Sequence, residues 1–231
     1  MPSISKENYL KAVYQLCQNE CHSVSTSALA AKLEITNAAT SDMAKGLSKQ
    51  GFINYEKYQG VNLTKQGEQI AIGIIRKHRL WELFLMKSLG LGWEEVHTEA
   101  ENLEHQTTDY LTDRIDDFLG NPKFDPHGEP IPQKDGMIPS MIEQISLNES
   151  KIGEEYIVMR VNDESKEVMD YFNEIGLNLN SKILIKNYLQ YDNSTIIELN
   201  NQVYSFSEKI SSRIYISPLN VVSNKVPVEE L

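Results

Sequence analysis

The chain has 231 residues, with 22 Lys and Arg against 33 Asp and Glu, giving a formal net charge of −11. That balance argues against nucleic acid, because DNA-binding surfaces neutralise phosphates with basic side chains. The length suits one large domain or two small ones, no apolar run reaches the roughly 20 residues of a membrane span, and two cysteines, Cys17 and Cys21, exclude a disulfide scaffold.

MPSISKENYL has no signal-peptide hydrophobic stretch, so a reducing cytoplasm is the expected location, with no membrane partner. The charge is unevenly spread. Residues 1–79 carry ten basic and six acidic side chains, and the remainder carries 12 basic and 27 acidic. A mildly basic third joined to a strongly acidic remainder separates two tasks along the chain.

In KENYLKAVYQL, Tyr9, Leu10, Val13, Tyr14 and Leu16 recur at helical spacing. Ser25 or Thr26 then caps a short helix that ends near Leu33. After the turn at EIT, a second helix is capped by Thr36 or Asn37 and stopped by Gly51. FINYEKYQGVNLTKQG alternates β-formers around a turn at Gln59-Gly60, a hairpin signal. Helix, turn, helix and hairpin make a winged helix-turn-helix, whose second helix enters the major groove. Thr36, Asn37, Ala38, Ser41, Asp42 and Lys45 are its outward candidates for base and phosphate contacts. Ser5, Thr26, Ser27 and Lys49 complete the DNA-facing set. The bland alternative is a small helical module that binds protein or nothing. Cys17, Cys21 and His22 read as a buried small residue and a surface thiol on a helix rather than as a metal clip.

A long amphipathic helix spans Thr64 to Leu89 and carries His78 and Glu82 four residues apart; another is expected from Trp93 to Leu119. Taking His97 as zero and about 100° per residue, Glu101, Glu104 and His105 fall at about 40°, −20° and 80°. Carboxylates and imidazoles converging on one face call for a cation or for solvent. The O/N donor set suits Mn²⁺, Fe²⁺, Zn²⁺ or Co²⁺. A solvated acidic face is the bland rival. A di-iron bundle requires Glu-x-x-His on two helices, and the chain offers Glu-x-x-Glu-His once. HExxH, Gly-rich phosphate loops and GxSxG are absent from the sequence.

ENYLKAVY, RKHRLWELFL, VHTEAENLEH and FDPHGEPIP, in that order and spacing, resemble the diphtheria-toxin-repressor family of metal-dependent transcriptional regulators. The resemblance implies a mainly α protein with β in three parts. These are a winged helix-turn-helix DNA-binding domain (1–72), a helical metal-binding and dimerisation domain with its linker (73–140), and a C-terminal SH3-like β-barrel (141–231). It implies a homodimer that binds double-stranded operator DNA when loaded with metal and represses metal-uptake genes. Residue by residue, Asn8, Glu101, Glu104 and His105 match the primary metal site. His78, Glu82 and His97 match the ancillary site, joined from the loop by Asp125 and His127. A C-terminal ligand is placed near Asp163, Glu164 or Glu167. One or two ions per subunit, Mn²⁺ or Fe²⁺, are implied.

Three positions depart from relatives. Glu101 stands where iron-responsive members have a cysteine, as in the manganese-responsive branch. Asn8 supplies a neutral amide oxygen where Asp or Met is usual. Lys11 replaces an acid of the two-domain manganese regulators, which disfavours their close two-metal cluster.

Residues 120–140, rich in Pro and Gly, read as a connection. EYIVMRV, KILIKNYLQYD, STIIEL and RIYIS are short β-runs, with VMDYFNEIGL a helix ending at Gly176. No catalytic constellation appears there, and the chain is not expected to be an enzyme. A metal-dependent hydrolase or oxidase built on the same His and Glu cluster needs an acid/base beside an open coordination position, and none stands outside the ligand set. A metal-sensing module that binds protein rather than DNA is the other reading.

Overall fold

The computed structural model describes residues 3–17, 23–56, 59–141, 143–162 and 165–219. The chain forms two compact units. The first comprises Met1–Trp81, Ala100–Asn121 and Ile131–Ile138, and the second comprises Glu82–Glu99, Pro122–Pro130 and Pro139–Leu231.

The first unit begins with α1 (Ile4–Cys17), α2 (Thr26–Lys32) and α3 (Asn37–Lys49). The N-caps of α2 and α3 are side-chain hydroxyls. Ser25 Oγ accepts from Ala28 N at 3.1 Å and Thr36 Oγ1 from Ala39 N at 3.2 Å, satisfying donors that a helix start leaves unpaired. Glu34, at φ 54, makes the tight turn between α2 and α3. β1 (Ile53–Glu56) and β2 (Gly60–Leu63) pair antiparallel, with Ile53 opposite Leu63 and Glu56 opposite Gly60. Tyr9, Leu10, Val13, Leu29, Ala44, Leu47, Ile53 and Val61 form the buried core of this winged helix. Packing the apolar stripe of α1 under the helix-turn-helix leaves the outward face of α3 to solvent. Ser5, Ser27, Thr36, Asn37, Ala38, Asp42, Lys45 and Lys49 are exposed, and Thr26 and Ser41 are half-buried.

α4 (Lys65–Phe84) starts where Thr64 Oγ1 accepts from Gly67 N at 3.2 Å. It continues as a π-helical turn over Leu85–Leu89, closed by Gly90 in the left-handed region. The single helix expected from Trp93 to Leu119 is two: α5 (Trp93–Glu104) and α6 (Asp109–Phe118). The break lies at Thr107 and Thr108. Thr108 Oγ1 caps α6 by accepting from Leu111 N at 3.2 Å. Thr107 Oγ1 donates back to Leu103 O at 2.7 Å and accepts from Trp81 Nε1 at 2.7 Å. Hydroxyls that compete for backbone groups end a helix that periodicity alone would continue. Arg76 of α4 then ties α6 down, donating to Asp113 at 3.0 Å and Asp116 at 2.6 Å.

In the second unit, a six-stranded antiparallel sheet runs in the order β3-β8-β4-β5-β6-β7. Its strands are β3 (Ile145–Ser146), β4 (Glu155–Val161), β5 (Lys182–Leu189), β6 (Ser194–Leu199), β7 (Gln202–Phe206) and β8 (Ile214–Pro218). Helices α7 (Lys166–Ile175) and α8 (Glu208–Ser211) complete it. The core contains Leu147, Tyr156, Val158, Phe172, Ile185, Ile197, Phe206 and Ile216, all at most 1% exposed. Phe172 and Phe206 meet edge to face at 5.9 Å. The strand β7, absent from the sequence expectation, is joined to β6 by Asn200 and Asn201, both at positive φ (53 and 63). Leu199 pairs with Gln202 across them. This is a two-residue hairpin turn of the kind Asn tolerates.

Candidate metal centre

Of the first unit's candidates, Glu104 is at the centre. It is 1% exposed at the end of α5, and its two oxygens share Lys11 while each meets a different histidine. Oε2 lies 2.6 Å from His78 Nδ1 and 2.8 Å from Lys11 Nζ. Oε1 lies 3.0 Å from Lys11 Nζ and 3.2 Å from His105 Nε2. Lys11 also reaches Glu101 Oε1 at 3.1 Å. A carboxylate so completely removed from water is tolerated only when paired, and here the partner is an ammonium carried by α1.

His105 sits just beyond the end of α5, where the Thr107–Thr108 break begins. Its Nδ1 is 2.7 Å from Glu7 Oε2. Asn8 is half-buried on α1, and the α1 side chains that form ion pairs with the cluster are its neighbours Glu7 and Lys11. Glu7 was not among the sequence candidates. In ENYLK the spacing puts Glu7 and Lys11 on one helix face, with Asn8 turned about 100° away from Glu7, but no local pattern says that this face meets α5.

His78, Glu101 and Glu104 each bring a ligand-capable atom within 4.8 Å of the others. Three carboxylates (Glu7, Glu101 and Glu104) against one ammonium leave two negative charges when the imidazoles are neutral. That residue of charge equals one divalent cation. Oxygen and imidazole donors without thiolate fit Mn²⁺ or Fe²⁺. Glu101, with its side chain half exposed, leaves the cluster open to solvent on one side.

In the second unit, Glu82 is 2% exposed. Its Oε1 lies 3.0 Å from His97 Nδ1 and 3.7 Å from His127 Nε2. His127 is delivered by an ordered loop rather than a free linker. Asp125, expected as a ligand, accepts with Oδ1 from the backbone N–H of His127 at 2.8 Å and of Glu129 at 2.9 Å. Val161 N donates to His127 O at 3.0 Å. Glu129 takes an ion pair from Arg160 at 2.6 Å, and that guanidinium stacks 3.6 Å over the Tyr215 ring. The loop is thereby clamped to β4. Gly128, at φ +83, passes so close to β4 that a Cβ there would lie 2.1 Å from Met159 O. Glu167 is exposed on α7, while Asp163, Glu164, Cys21 and His22 lie outside the described residues.

Family comparisons agree along the chain. Residues 1–61 match the iron dependent repressor N-terminal DNA binding domain, residues 64–133 its metal binding and dimerisation domain, and residues 145–218 the FeoA domain. An uncharacterised HTH-type transcriptional regulator of Methanocaldococcus jannaschii is 36% identical over 117 residues, which is 51% of this chain and 94% of that protein. The iron-dependent repressor IdeR of Mycobacterium leprae is 34% identical over 126 residues, 54% of either chain, so that alignment spans about half of the mycobacterial protein. A manganese-dependent transcriptional repressor solved with manganese superposes with a TM-score of 0.85 at 31% identity, covering 93% of this chain and all of that one. ScaR with bound Zn²⁺ gives 0.79, also at 31% identity.

Proposed function

This chain belongs to the iron-dependent-repressor family, and on that premise we propose that it is a transcriptional repressor activated by Mn²⁺ or Fe²⁺. It binds operator DNA as a homodimer in the cytoplasm and controls metal-uptake genes. No helix among the described residues is long and apolar enough to cross a membrane. The three parts proposed from the sequence, 1–72, 73–140 and 141–231, carry DNA recognition, metal binding with dimerisation, and support of the metal sites. The chain acts by binding rather than by catalysis.

One observation carries the reading: buried Glu104 of α5 is held by Lys11 of α1, and His105 by Glu7 of α1. The helix beneath the DNA-reading elements therefore shares its charges with the metal cluster. In this proposal Glu101, Glu104 and His105, with Asn8 at their edge, hold the primary ion. Glu82, His97 and His127 form the ancillary site, with Asp125 holding the loop. His78, matched to the ancillary site by the resemblance, also pairs with Glu104. The bound cation supplies positive charge that relieves carboxylate repulsion. The residues hold α1 against α5 and so fix how α3 is presented, and linkage requires DNA to tighten the metal by the same factor. The exposed apolar side chains Tyr110, Leu111 and Phe118 of α6 supply surface for the second subunit.

DNA contact falls to the exposed face of α3 with Ser5, Thr26 and Ser27. The net charge of −11 makes unaided binding weak, which suits an activator cation. The test is fluorescence anisotropy with DNA from the chain's own promoter, with Mn²⁺ or Fe²⁺ and with EDTA. Metal-dependent binding is expected for the unaltered protein, and loss of that response with the fold retained for Glu104→Ala. Equal binding by both proteins rejects the reading.

A further inference from the structure

Glu7 is the one carboxylate of the cluster that the family's ligand positions do not explain. It is 8% exposed, and it approaches not the other carboxylates but the far side of His105, with Oε2 2.7 Å from Nδ1. The opposite ring nitrogen, Nε2, faces Glu104 Oε1 at 3.2 Å. The two nitrogens of an imidazole point in different directions, so the partner of one decides what the other offers. A carboxylate at hydrogen-bond distance accepts a proton from Nδ1. In the neutral ring the lone pair is then on Nε2, directed toward Glu104. Metal-ligating histidines commonly donate their other N–H to a carboxylate, which fixes tautomer and ring orientation and strengthens the donor.

We propose that Glu7 is a positioning residue of the metal centre: it holds the proton of His105 on Nδ1 and so makes Nε2 the atom that joins Glu104 on the cation. This rests on the metal-site reading of Glu104 and His105 given above. Glu7 does not itself bind the ion, because its carboxylate engages the ring nitrogen turned away from Glu104. It also gives α1 a hydrogen-bonded path to the ligand. A cation that draws Nε2 into place aligns the whole ring, and with it Glu7 and the helix that carries Glu7. Lys11, one turn later on the same face of α1, binds the other end of the cluster at Glu104 Oε2. Two opposite charges on one helix face thus grip the centre from both ends.

The test uses the full chain with ¹⁵N-labelled histidine and ¹¹³Cd²⁺ as the probe. The unaltered protein should show ¹¹³Cd coupling to Nε2 of His105, assigned by its loss in His105→Gln, with Nδ1 retaining its proton. Glu7→Ala should weaken Cd²⁺ and Mn²⁺ binding by about 10–100-fold and spread the coupling over both ring nitrogens. Glu7→Gln, whose amide oxygen still accepts from Nδ1–H, should restore most of the affinity and the single coupling. Coupling to Nδ1 in the unaltered protein overturns the proposal, and that spectrum decides the matter even if Glu7→Ala does not fold. Unchanged affinity and coupling in folded Glu7→Ala overturn it as well. Cadmium binding that is indifferent to both His105 and Glu104 overturns the metal-centre reading, and this proposal with it. Binding that needs Glu104 but uses Nδ1 overturns this proposal alone.

Discussion

The ammonium of Lys11 lies 2.8 Å from the nearer oxygen of Glu104, and both side chains are almost wholly removed from water. One cation is therefore already built into the cluster where a second metal ion would need ligands. Neutralising it in Lys11→Gln leaves a buried carboxylate without its counter-charge. Removing one partner of such a pair costs roughly 3–5 kcal/mol, so the melting temperature of the variant should fall sharply in EDTA. Mn²⁺ should restore more stability to the variant than to the parent, because the vacated space among His78, Glu101 and Glu104 accepts an ion. Calorimetric melts with and without Mn²⁺ check this, and an equal metal-induced shift in both proteins counts against it.

Acid should weaken the first unit through Asp113. The hydrogen bond from Lys134, foremost, and that from Arg76 hold its carboxyl below the ordinary carboxylate range. A depressed carboxyl contributes stability that is present above the unfolded pKa of about 3.9 and is lost as pH falls through the lower folded value. Lys134→Ala should be less stable than the parent near neutrality, and the two should converge below about pH 4. Urea titrations in EDTA across pH 2–7 read this directly, and a difference that persists unchanged into acid contradicts it.

Gly128→Ala tests the clamp on the His127 loop. The position has φ +83, and a Cβ would meet Met159 O at 2.1 Å. A non-glycine residue held there costs about 1–3 kcal/mol in backbone strain, before the clash is relieved by moving the loop. The variant should lose Mn²⁺ affinity at the Glu82 cluster to the same degree as His127→Ala, with binding at the Glu104 cluster intact. Competition titrations distinguish the two sites, and parental affinity at both would show that the loop tolerates displacement.

Much of the fold was legible because short-range chemistry decided it. Thr36 before Asn37, and Gly176 after Ile175, mark helix ends through local hydrogen bonding and backbone freedom. The winged helix and most of the barrel strands followed from periodicity. The division of α5 from α6 did not, because periodicity runs through Thr107 and Thr108 while their hydroxyls compete for backbone groups. The strand β7 was missed because its residues are mostly exposed and its turn uses Asn-Asn rather than Asn-Gly. In the site, Glu101, Glu104 and His105 read as a stripe on one expected helix, although His105 falls just past the end of α5. Glu7 and the grip of Lys11 depend on α1 meeting α5 about 90 residues away, a distance that no local pattern spans. Asp125 was expected as a ligand from the family resemblance of the FDPHGEPIP loop; that its Oδ1 also accepts from the backbone N–H groups of His127 and Glu129 is a turn contact that the resemblance does not carry.

The clamp at β4 bears on where this chain can be shortened. Glu82, His97 and His127 all precede Pro139, so a truncation after Ile138 would retain every one of those side chains. It would remove Val161, Arg160 and the strand against which Gly128 rests. A chain cut there would keep the donors of the Glu82 cluster on paper while His127 became the tip of an untethered loop. What β4 gives that loop, main-chain contacts together with the Arg160–Glu129 ion pair, is anchorage that a comparison of the Glu82, His97 and His127 side chains alone would score as no loss.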